Sequence, residues 1–319
     1  MDKAKTAVLF PGQGSQYVGM GRELADNDDA AMKIMTMAQE VSGLPIVDLC
    51  FNGPMEELTR AENLQPAMTA VNMVCWQAAA KAGLRADYFA GHSLGEYSAL
   101  WAAGALSAED TIRLVSARGR IMAAAGAENP GGMLAILGLD IETVEAVLAR
   151  MDCSAEISIG NYNSSQQIVV SGTAAAVRRA GELAVEQGGK AIPLPVSIAN
   201  HSPLMAAAVP EFEKILGATA LREPQTPVLF NVTAAEAADP DEIRTIMARQ
   251  VVSMVRWLEI INALRALGVK TFIEVGPKKV LTGLMRRILP KGADCVCCQV
   301  DSLETLNNCR RDLPALFEA

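Results

Sequence analysis

One short motif constrains the fold of this chain more than any other feature: residues 91–95 read G-x-S-x-G. This pattern places a serine, here Ser93, on a sharp turn between a strand and a helix. The flanking sequence is suitable, because residues 86–90 can form a short strand and residues 94–103 are rich in the helix formers Leu, Glu and Ala. The motif therefore predicts a strand–turn–helix unit on which Ser93 is exposed as a nucleophile.

The histidine content narrows the choice of a base for this serine. A serine hydroxyl needs a neighbouring base to become nucleophilic, and the chain has only two histidines. His92 adjoins Ser93, and neighbouring side chains on such a turn point apart. His201 is therefore predicted to be the base, provided that the base is a histidine. Its place before Ser202–Pro203 would also suit an ordinary histidine at the start of a helix.

Composition excludes several classes of protein. The chain has 319 residues, half of them hydrophobic, which is enough for one large or two modest domains. A net charge of −8 argues against non-specific binding to nucleic acid and to an anionic membrane surface. We find no apolar run that could span a bilayer, and residues 7–10 are too short for the apolar part of a signal peptide. We expect a protein of the cytoplasm.

The cysteines support a reducing compartment. Their number, seven, is odd and their spacing irregular, so a disulfide framework is not expected. Cys295, Cys297 and Cys298 are close enough to raise the question of a metal. They have no histidine nearby and no second cysteine pair, so no metal site is predicted. The apolar run around Val296 instead indicates a buried strand.

Strands and helices alternate through much of the chain, which predicts a parallel sheet with helices on both faces. The order changes over residues 130–197 to strand–helix–strand–strand–helix–strand, the order of the ferredoxin-like βαββαβ unit. We therefore predict a core of residues 1–129 and 198–319, with a ferredoxin-like domain inserted at 130–197. Because His201 follows the return of the chain to the core, the site is expected in the cleft between the two units.

A glycine-rich loop, residues 11–16, follows the first predicted strand. It lacks the Gly-Lys-Ser/Thr of a Walker loop, and Tyr17 stands where a dinucleotide-binding loop has its third glycine. Gln13 lies between glycines, so its backbone N–H is a candidate donor to an oxyanion beside the serine. The second donor would be the N–H of Leu94, the residue after the nucleophile. The alternative is a plain turn after a strand.

Four segments together resemble the acyltransferase family, in particular its malonyl-CoA:acyl carrier protein transacylases. They are PGQGSQ from residue 11, GHSLGEYSAL from residue 91, NHSPLM from residue 200 and EVGP from residue 274. The resemblance implies an α/β-hydrolase-like core with an inserted ferredoxin-like domain, in agreement with the pattern above. It also implies transfer of malonyl from malonyl-CoA to acyl carrier protein through an acyl-enzyme at Ser93, supplying fatty acid synthesis. That reaction needs no cofactor and no metal.

A malonyl group keeps a free carboxylate, so its pocket needs a fixed cation, and a guanidinium matches a carboxylate in a bidentate pair. One predicted helix offers Arg113, Arg118 and Arg120, and spacing does not choose among them. The resemblance selects Arg118. It also implies that a main-chain carbonyl near Gln250 orients the imidazole of His201.

Other features follow from the resemblance. Asn161 and Asn163 lie near where the family lines its cleft. Asn200 stands at a position thought to tune acyl size in relatives, so the choice between malonyl and methylmalonyl stays open. The family precedent is a monomer. Acyl carrier proteins are acidic, so docking calls for a local basic face. The candidates for this face are Lys190, Lys278, Lys279, Arg286 and Arg287.

Three other functions stay open. An acyltransferase of a polyketide or polyunsaturated fatty acid synthase would share the chemistry and differ in its carrier protein. A serine esterase is disfavoured, because no acidic triad member is evident and an arginine for a carboxylate is expected. A non-catalytic module that binds carrier proteins would have no need of Ser93 and His201.

Overall fold

The computed structural model of the chain describes residues 5–151, 153 and 155–317. In this part of the chain the strands are β1 (Lys5–Phe10), β2 (Tyr88–Gly91), β3 (Gly131–Leu137), β4 (Ile157–Ser164), β5 (Gln167–Thr173), β6 (Lys190–Pro193), β7 (Val228–Leu229), β8 (Val269–Val275) and β9 (Val296–Val300).

The helices are α1 (Arg22–Asp26), α2 (Asp29–Ser42), α3 (Ile46–Asn52), α4 (Met55–Thr59), α5 (Ala61–Lys81), α6 (Gly95–Ala102), α7 (Ala108–Glu128), α8 (Ile141–Ala149), α9 (Ala174–Glu186), α10 (Val209–Ala218), α11 (Pro240–Arg249), α12 (Trp257–Ala266), α13 (Val280–Ile288) and α14 (Leu303–Asp312). Shorter 3-10 helices span Pro203–Ala208, Gln250–Val252 and Pro314–Leu316.

Five strands form a parallel sheet in the order β7–β2–β1–β8–β9. The central strand β1 is almost entirely buried because helices cover both faces. Successive side chains of a strand point to opposite faces. Val8 and Phe10 accordingly pack in the large apolar cluster that includes α5 and α7. Ala7 and Leu9 pack on the other face, with Trp257 of α12.

A second sheet is antiparallel, in the order β4–β5–β3–β6. Together with α8 and α9, its strands follow one another along the chain as βαββαβ, the ferredoxin-like order. The helices cover one face, where residues such as Ile136 and Val170 are buried. The predicted fold class, a parallel α/β core with a ferredoxin-like unit, is confirmed. The domain boundaries 1–129 with 198–319, and 130–197, stay a prediction.

Two local predictions were wrong. Residues 161–165 are rich in Asn and Ser, which predicts a turn between two strands, but residues 161–164 belong to β4, where register shifts beside them accommodate the polar run. Val296 is 45% exposed rather than buried, because β9 is the edge strand of its sheet. The helical segment expected from residue 203 is present, and its first part is a 3-10 helix, since Pro210 has no N–H for an α-helical bond to the preceding turn.

None of the helices in the described residues combines the length and hydropathy that crossing a bilayer requires.

Candidate active site

Ser93 lies on the turn between β2 and α6. Its φ of 49° falls in the left-handed region that residues with a Cβ rarely adopt. The turn is also crowded: a Cβ on Gly91 would lie 2.0 Å from the carbonyl carbon of Gly95, and a Cβ on Gly95 would lie 2.1 Å from Phe10 O. Glycines at these two positions therefore let the helix approach the strand, which holds Ser93 at the carboxyl edge of the parallel sheet.

His201 reaches this serine from the segment between β6 and the 3-10 helix Pro203–Ala208. Its Nε2 lies 2.7 Å from Ser93 Oγ, while Nδ1 lies 2.9 Å from Gln250 O and 3.0 Å from Ser253 O. Carbonyl oxygens only accept, so Nδ1 carries the proton and Nε2 is free to accept from the serine hydroxyl. Burial, with the nearby charge of Arg118, lowers the pKa of His201 to about 3. The imidazole is thus a neutral base.

Arg118 points into the same site from α7 and is only 2% exposed. Its Nη2 lies 3.4 Å from Ser93 Oγ and donates to Gln250 Oε1 at 3.1 Å, and Nη1 donates to Gln65 Oε1 at 2.8 Å. The guanidinium also lies 5.6 Å from the centre of the Tyr97 ring. Burial lowers the pKa of Arg118, but a guanidinium stays protonated in proteins, so the site holds a fixed cation beside Ser93.

The structure separates Arg118 from the other two candidate arginines. Arg113 pairs with Asp110 on the surface, where its side chain is 61% exposed, and Arg120 is exposed as well. A helix turns by about 100° per residue, so Arg120 points roughly opposite to Arg118. Only the arginine on the inner face of α7 reaches Ser93.

The glycine-rich loop packs against the nucleophile turn. A Cβ on Gly12 would lie 2.5 Å from His92 O and 3.4 Å from Leu94 N, so this close approach requires glycine. Within the described residues, neither the N–H of Gln13 nor that of Leu94 donates a hydrogen bond. Both predicted oxyanion donors are therefore available, on adjoining segments beside Ser93.

A polar network beneath the turn was not predicted. Asn231 Oδ1 accepts the N–H of Ser93 at 2.6 Å, and its Nδ2 donates to Gly91 O at 2.7 Å. Glu96, fully buried on α6, accepts the N–H of Asn231 at 2.6 Å and contacts Gln250 Nε2. A signal existed for Asn231, because it follows β7 at the carboxyl edge of the sheet, where sites of α/β proteins gather. Gln65 had no such signal.

The second sheet reaches the nucleophile turn through β4. His92 Nε2 lies 2.8 Å from Asn163 Oδ1 and 3.5 Å from Asn161 Nδ2. The ring of His92 also packs against Trp257, with centroids 5.3 Å apart. Asn200 is 9% exposed beside His201, and its Oδ1 has no partner within the described residues. The predicted cleft residues thus line the junction of the two sheets.

A cavity of about 450 Å³ opens beside Gln13. Its other walls are residues 59–62, the end of α7 and residues 195–198. The described residues contain no group of three or more His, Cys, Asp or Glu side chains that could hold a metal ion. The seven cysteines are free thiols.

Known proteins are similar to this chain in fold and in sequence. Residues 8–316 match the family model for the acyl transferase domain. The chain is 42% identical over 287 residues to the malonyl CoA-acyl carrier protein transacylase of Bacillus subtilis, covering 89% of this chain and 90% of that protein. The crystal structure of an acyl carrier protein S-malonyltransferase from Vibrio cholerae is similar with a TM-score of 0.91 and 39% identity, over 96% of this chain and 99% of that one. A malonyl-transacylase in complex with a type II PKS acyl carrier protein is similar with a TM-score of 0.92 and 34% identity, over 97% of this chain and 100% of that one.

Proposed function

Since the chain belongs to the acyl transferase family, we propose that it moves a malonyl group from malonyl-CoA to the phosphopantetheine thiol of acyl carrier protein. The observation that carries this mechanism is the 2.7 Å contact between Ser93 Oγ and the Nε2 of a neutral His201. A hydroxyl held against a buried neutral imidazole is an activated nucleophile. The pair supports a double displacement through a malonyl-serine ester.

In the first half-reaction, His201 Nε2 takes the proton of Ser93 as Oγ attacks the thioester carbonyl. The N–H groups of Gln13 and Leu94 receive the developing oxyanion. The C–S bond then breaks, and the CoA sulfur takes the proton back from His201 Nε2. In the second half-reaction the carrier thiol follows the same steps in reverse and leaves with the malonyl group, which restores the Ser93 hydroxyl. No cofactor takes part, because the CoA thioester is itself the substrate.

The malonyl carboxylate is placed by Arg118. The guanidinium is buried beside Ser93, and its Nε has no hydrogen-bond partner within the described residues. A buried cation of this kind favours an acyl group that carries a negative charge. It also argues against a general esterase, whose substrates are uncharged at this position.

Intact mass spectrometry after brief mixing with malonyl-CoA tests the proposal. We expect one malonyl adduct on the native chain, none on Ser93→Ala, and loss of the adduct when acyl carrier protein in its phosphopantetheine form is added. A folded native chain that forms no adduct, or an adduct that survives in Ser93→Ala, would refute the mechanism. Fast release of malonate in the absence of carrier would favour a hydrolase.

A second candidate differs only in its carrier protein. A similar malonyl-transacylase has been solved with a type II PKS acyl carrier protein, so a carrier of polyketide synthesis is a reasonable alternative to one of fatty acid synthesis. Transfer rates to a panel of both kinds of carrier decide between them.

We infer that the acidic carrier docks on a basic strip along α13. Arg286 and Arg287 lie in the last turn of this helix. Lys278 and Lys279 precede its start, eight residues earlier in the chain, or about 12 Å at 1.5 Å per residue. All four are exposed. Arg287 and Lys190 line the same surface pocket of about 490 Å³, which extends the strip to the second sheet.

Salt dependence tests this docking strip. Transfer to the carrier should weaken steeply with ionic strength, while acylation by malonyl-CoA should change little, because contacts between exposed charges are screened. Equal salt dependence of the two steps would contradict the docking strip.

We further propose that the protein is a cytoplasmic monomer. The free thiols support a reducing compartment, and the family precedent supports a monomer.

A further inference from the structure

The mechanism proposed above gives no role to a buried carboxyl group close to Ser93. Glu96 lies three residues after the nucleophile, and its side chain is fully buried. A buried carboxylate is costly unless it is paired and hydrogen-bonded. Its two oxygens face two donors: Oε1 accepts the N–H of Asn231 at 2.6 Å, and Oε2 contacts Nε2 of Gln250. Neither donor is charged, so Glu96 is not simply half of an ion pair.

We propose that Glu96 is a positioning residue that aims Arg118 at the acyl carboxylate through the side-chain amide of Gln250, and so sets the preference for malonyl over uncharged acyl groups. The inference rests on the proposed function, since it concerns selection within that reaction. Glu96 does not touch the reacting atoms and acts only through its neighbours.

The first step concerns the orientation of the Gln250 amide. Nε2 donates to Ser93 O at 3.0 Å and to Glu96, whereas Oε1 accepts from Arg118 Nη2 at 3.1 Å. An amide turned by half a rotation would place Oε1 against the oxygens of Ser93 and Glu96. It would also place Nε2 against the guanidinium, donor against donor. The carboxylate of Glu96, together with Ser93 O, therefore fixes which end of the amide faces Arg118.

The second step concerns the guanidinium itself. Gln65 Oε1 and Gln250 Oε1 hold its two terminal nitrogens, and both partners are neutral amide oxygens. Among the described residues, no carboxylate lies within ion-pair distance of Arg118. Glu96 therefore compensates the charge of Arg118 without direct contact, because the Gln250 amide lies between them. A carboxylate in direct contact would compete with the substrate, while this arrangement orients the cation and leaves it available to malonyl.

Glu274→Gln offers a matched control. Glu274 is also a buried carboxylate, 1% exposed, and its oxygens accept the N–H groups of Leu281 at 2.9 Å and Thr282 at 2.7 Å at the start of α13. Its substitution should cost stability without touching Arg118. In Glu96→Gln, by contrast, one oxygen must serve two donors, and the new NH2 group faces either Asn231 or Gln250.

The experiment is a competition. The enzyme is mixed briefly with equal concentrations of malonyl-CoA and acetyl-CoA, and the two adducts on Ser93 are counted in one mass spectrum. We expect Glu96→Gln to lower the malonyl-to-acetyl ratio by about 10- to 100-fold, the effect of losing a hydrogen bond to a charged group. Glu274→Gln should keep the ratio of the native chain. A ratio unchanged in Glu96→Gln would overturn the inference.

A second readout needs no variant. Burial raises the pKa of Glu96 to about 7, and its hydrogen bonds and the charge of Arg118 oppose this rise. Protonation would put a hydrogen between Glu96 and one of its two donors. The other titratable groups at this site are Arg118, which stays protonated in proteins, Tyr97, whose pKa burial raises, and His92 and His201, whose pKa values burial lowers. None of these groups changes charge near neutral pH. Because protonation of Glu96 weakens its hold on Gln250, the malonyl-to-acetyl ratio of the native chain should decrease as the pH is lowered from about 8 to about 6.

The possible outcomes distinguish failure of the role proposed for Glu96 from failure of the proposed function. A native chain with no preference for malonyl would refute the proposed function and the inference together. A native preference that is independent of pH over this range, or that survives in Glu96→Gln, would refute only the role of Glu96.

Discussion

Replacing Arg118 by alanine should abolish the preference for a charged acyl group. The guanidinium is 2% exposed and lies 3.4 Å from Ser93 Oγ, so a malonyl carboxylate bound there would lose its counter-charge in a buried site. Breaking a buried ion pair on one side costs about 3–5 kcal/mol. At about 1.4 kcal/mol per tenfold, kcat/KM for malonyl-CoA should fall about 10²- to 10⁴-fold.

Acetyl-CoA carries no acyl carboxylate, so its transfer should not fall in parallel and should increase. The variant also leaves the Oε1 atoms of Gln65 and Gln250 without their donor, at a cost in stability of about 1–3 kcal/mol each. Arg118→Lys keeps the charge but loses the paired donors, so it should lie between the native chain and Arg118→Ala.

Quenched-flow acylation with each thioester, read by intact mass, is the assay, and thermal unfolding reports stability. Arg113→Ala is the matched control, because this arginine lies on the exposed face of the same helix. Equal loss of malonyl and acetyl transfer in a folded Arg118→Ala would refute the assignment of Arg118 to the acyl carboxylate.

Three further predictions follow from the site. With the pKa of His201 lowered to about 3, acylation of Ser93 by uncharged p-nitrophenyl acetate should stay constant from about pH 8 to about pH 5, and a fall centred near pH 6.5 would indicate an ordinary imidazole. Gly12→Ala places a Cβ 2.5 Å from His92 O and should slow acylation by about 10²- to 10³-fold; Gly217→Ala, whose Cβ meets nothing within 4 Å, should leave the rate unchanged in the same assay. Asn231→Ala removes the partners of Ser93 N and Gly91 O and should lower the free energy of unfolding in urea by about 1–3 kcal/mol, so an unchanged urea midpoint would contradict its role.

Part of this site was accessible from residue patterns, and the reason is local. The turn at Ser93 was predicted because a close approach of helix and strand requires glycine at fixed positions. This requirement is visible within five consecutive residues. His201 was predicted by elimination, since the chain has only two histidines. The ferredoxin-like unit was predicted from turn residues and apolar periodicity, which are also short-range signals.

The remaining parts depend on which face of an element meets which neighbour. Spacing could not choose among three arginines of α7; the resemblance selected Arg118, and the packing of that helix supplies the physical reason, because only Arg118 lies on its inner face. The edge position of β9 exposed Val296, although its apolar run suggested burial. Glu96 and Asn231 were missed because they bond partners that are 154 and 135 residues away in the chain, respectively.

The amino-acid sequence by itself determined the strand–turn–helix, the candidate nucleophile and its candidate base, and the βαββαβ order of elements along the chain in the ferredoxin-like unit, because sterics and periodicity act within a few residues. The resemblance indicated Arg118 and a carbonyl near Gln250, but only the tertiary structure decided which nitrogen of His201 is protonated, that Arg118 lies beside Ser93, and which amides orient its guanidinium. These depend on hydrogen bonds between buried groups from distant segments, and such groups find partners only where packing of the sheets and helices brings them together.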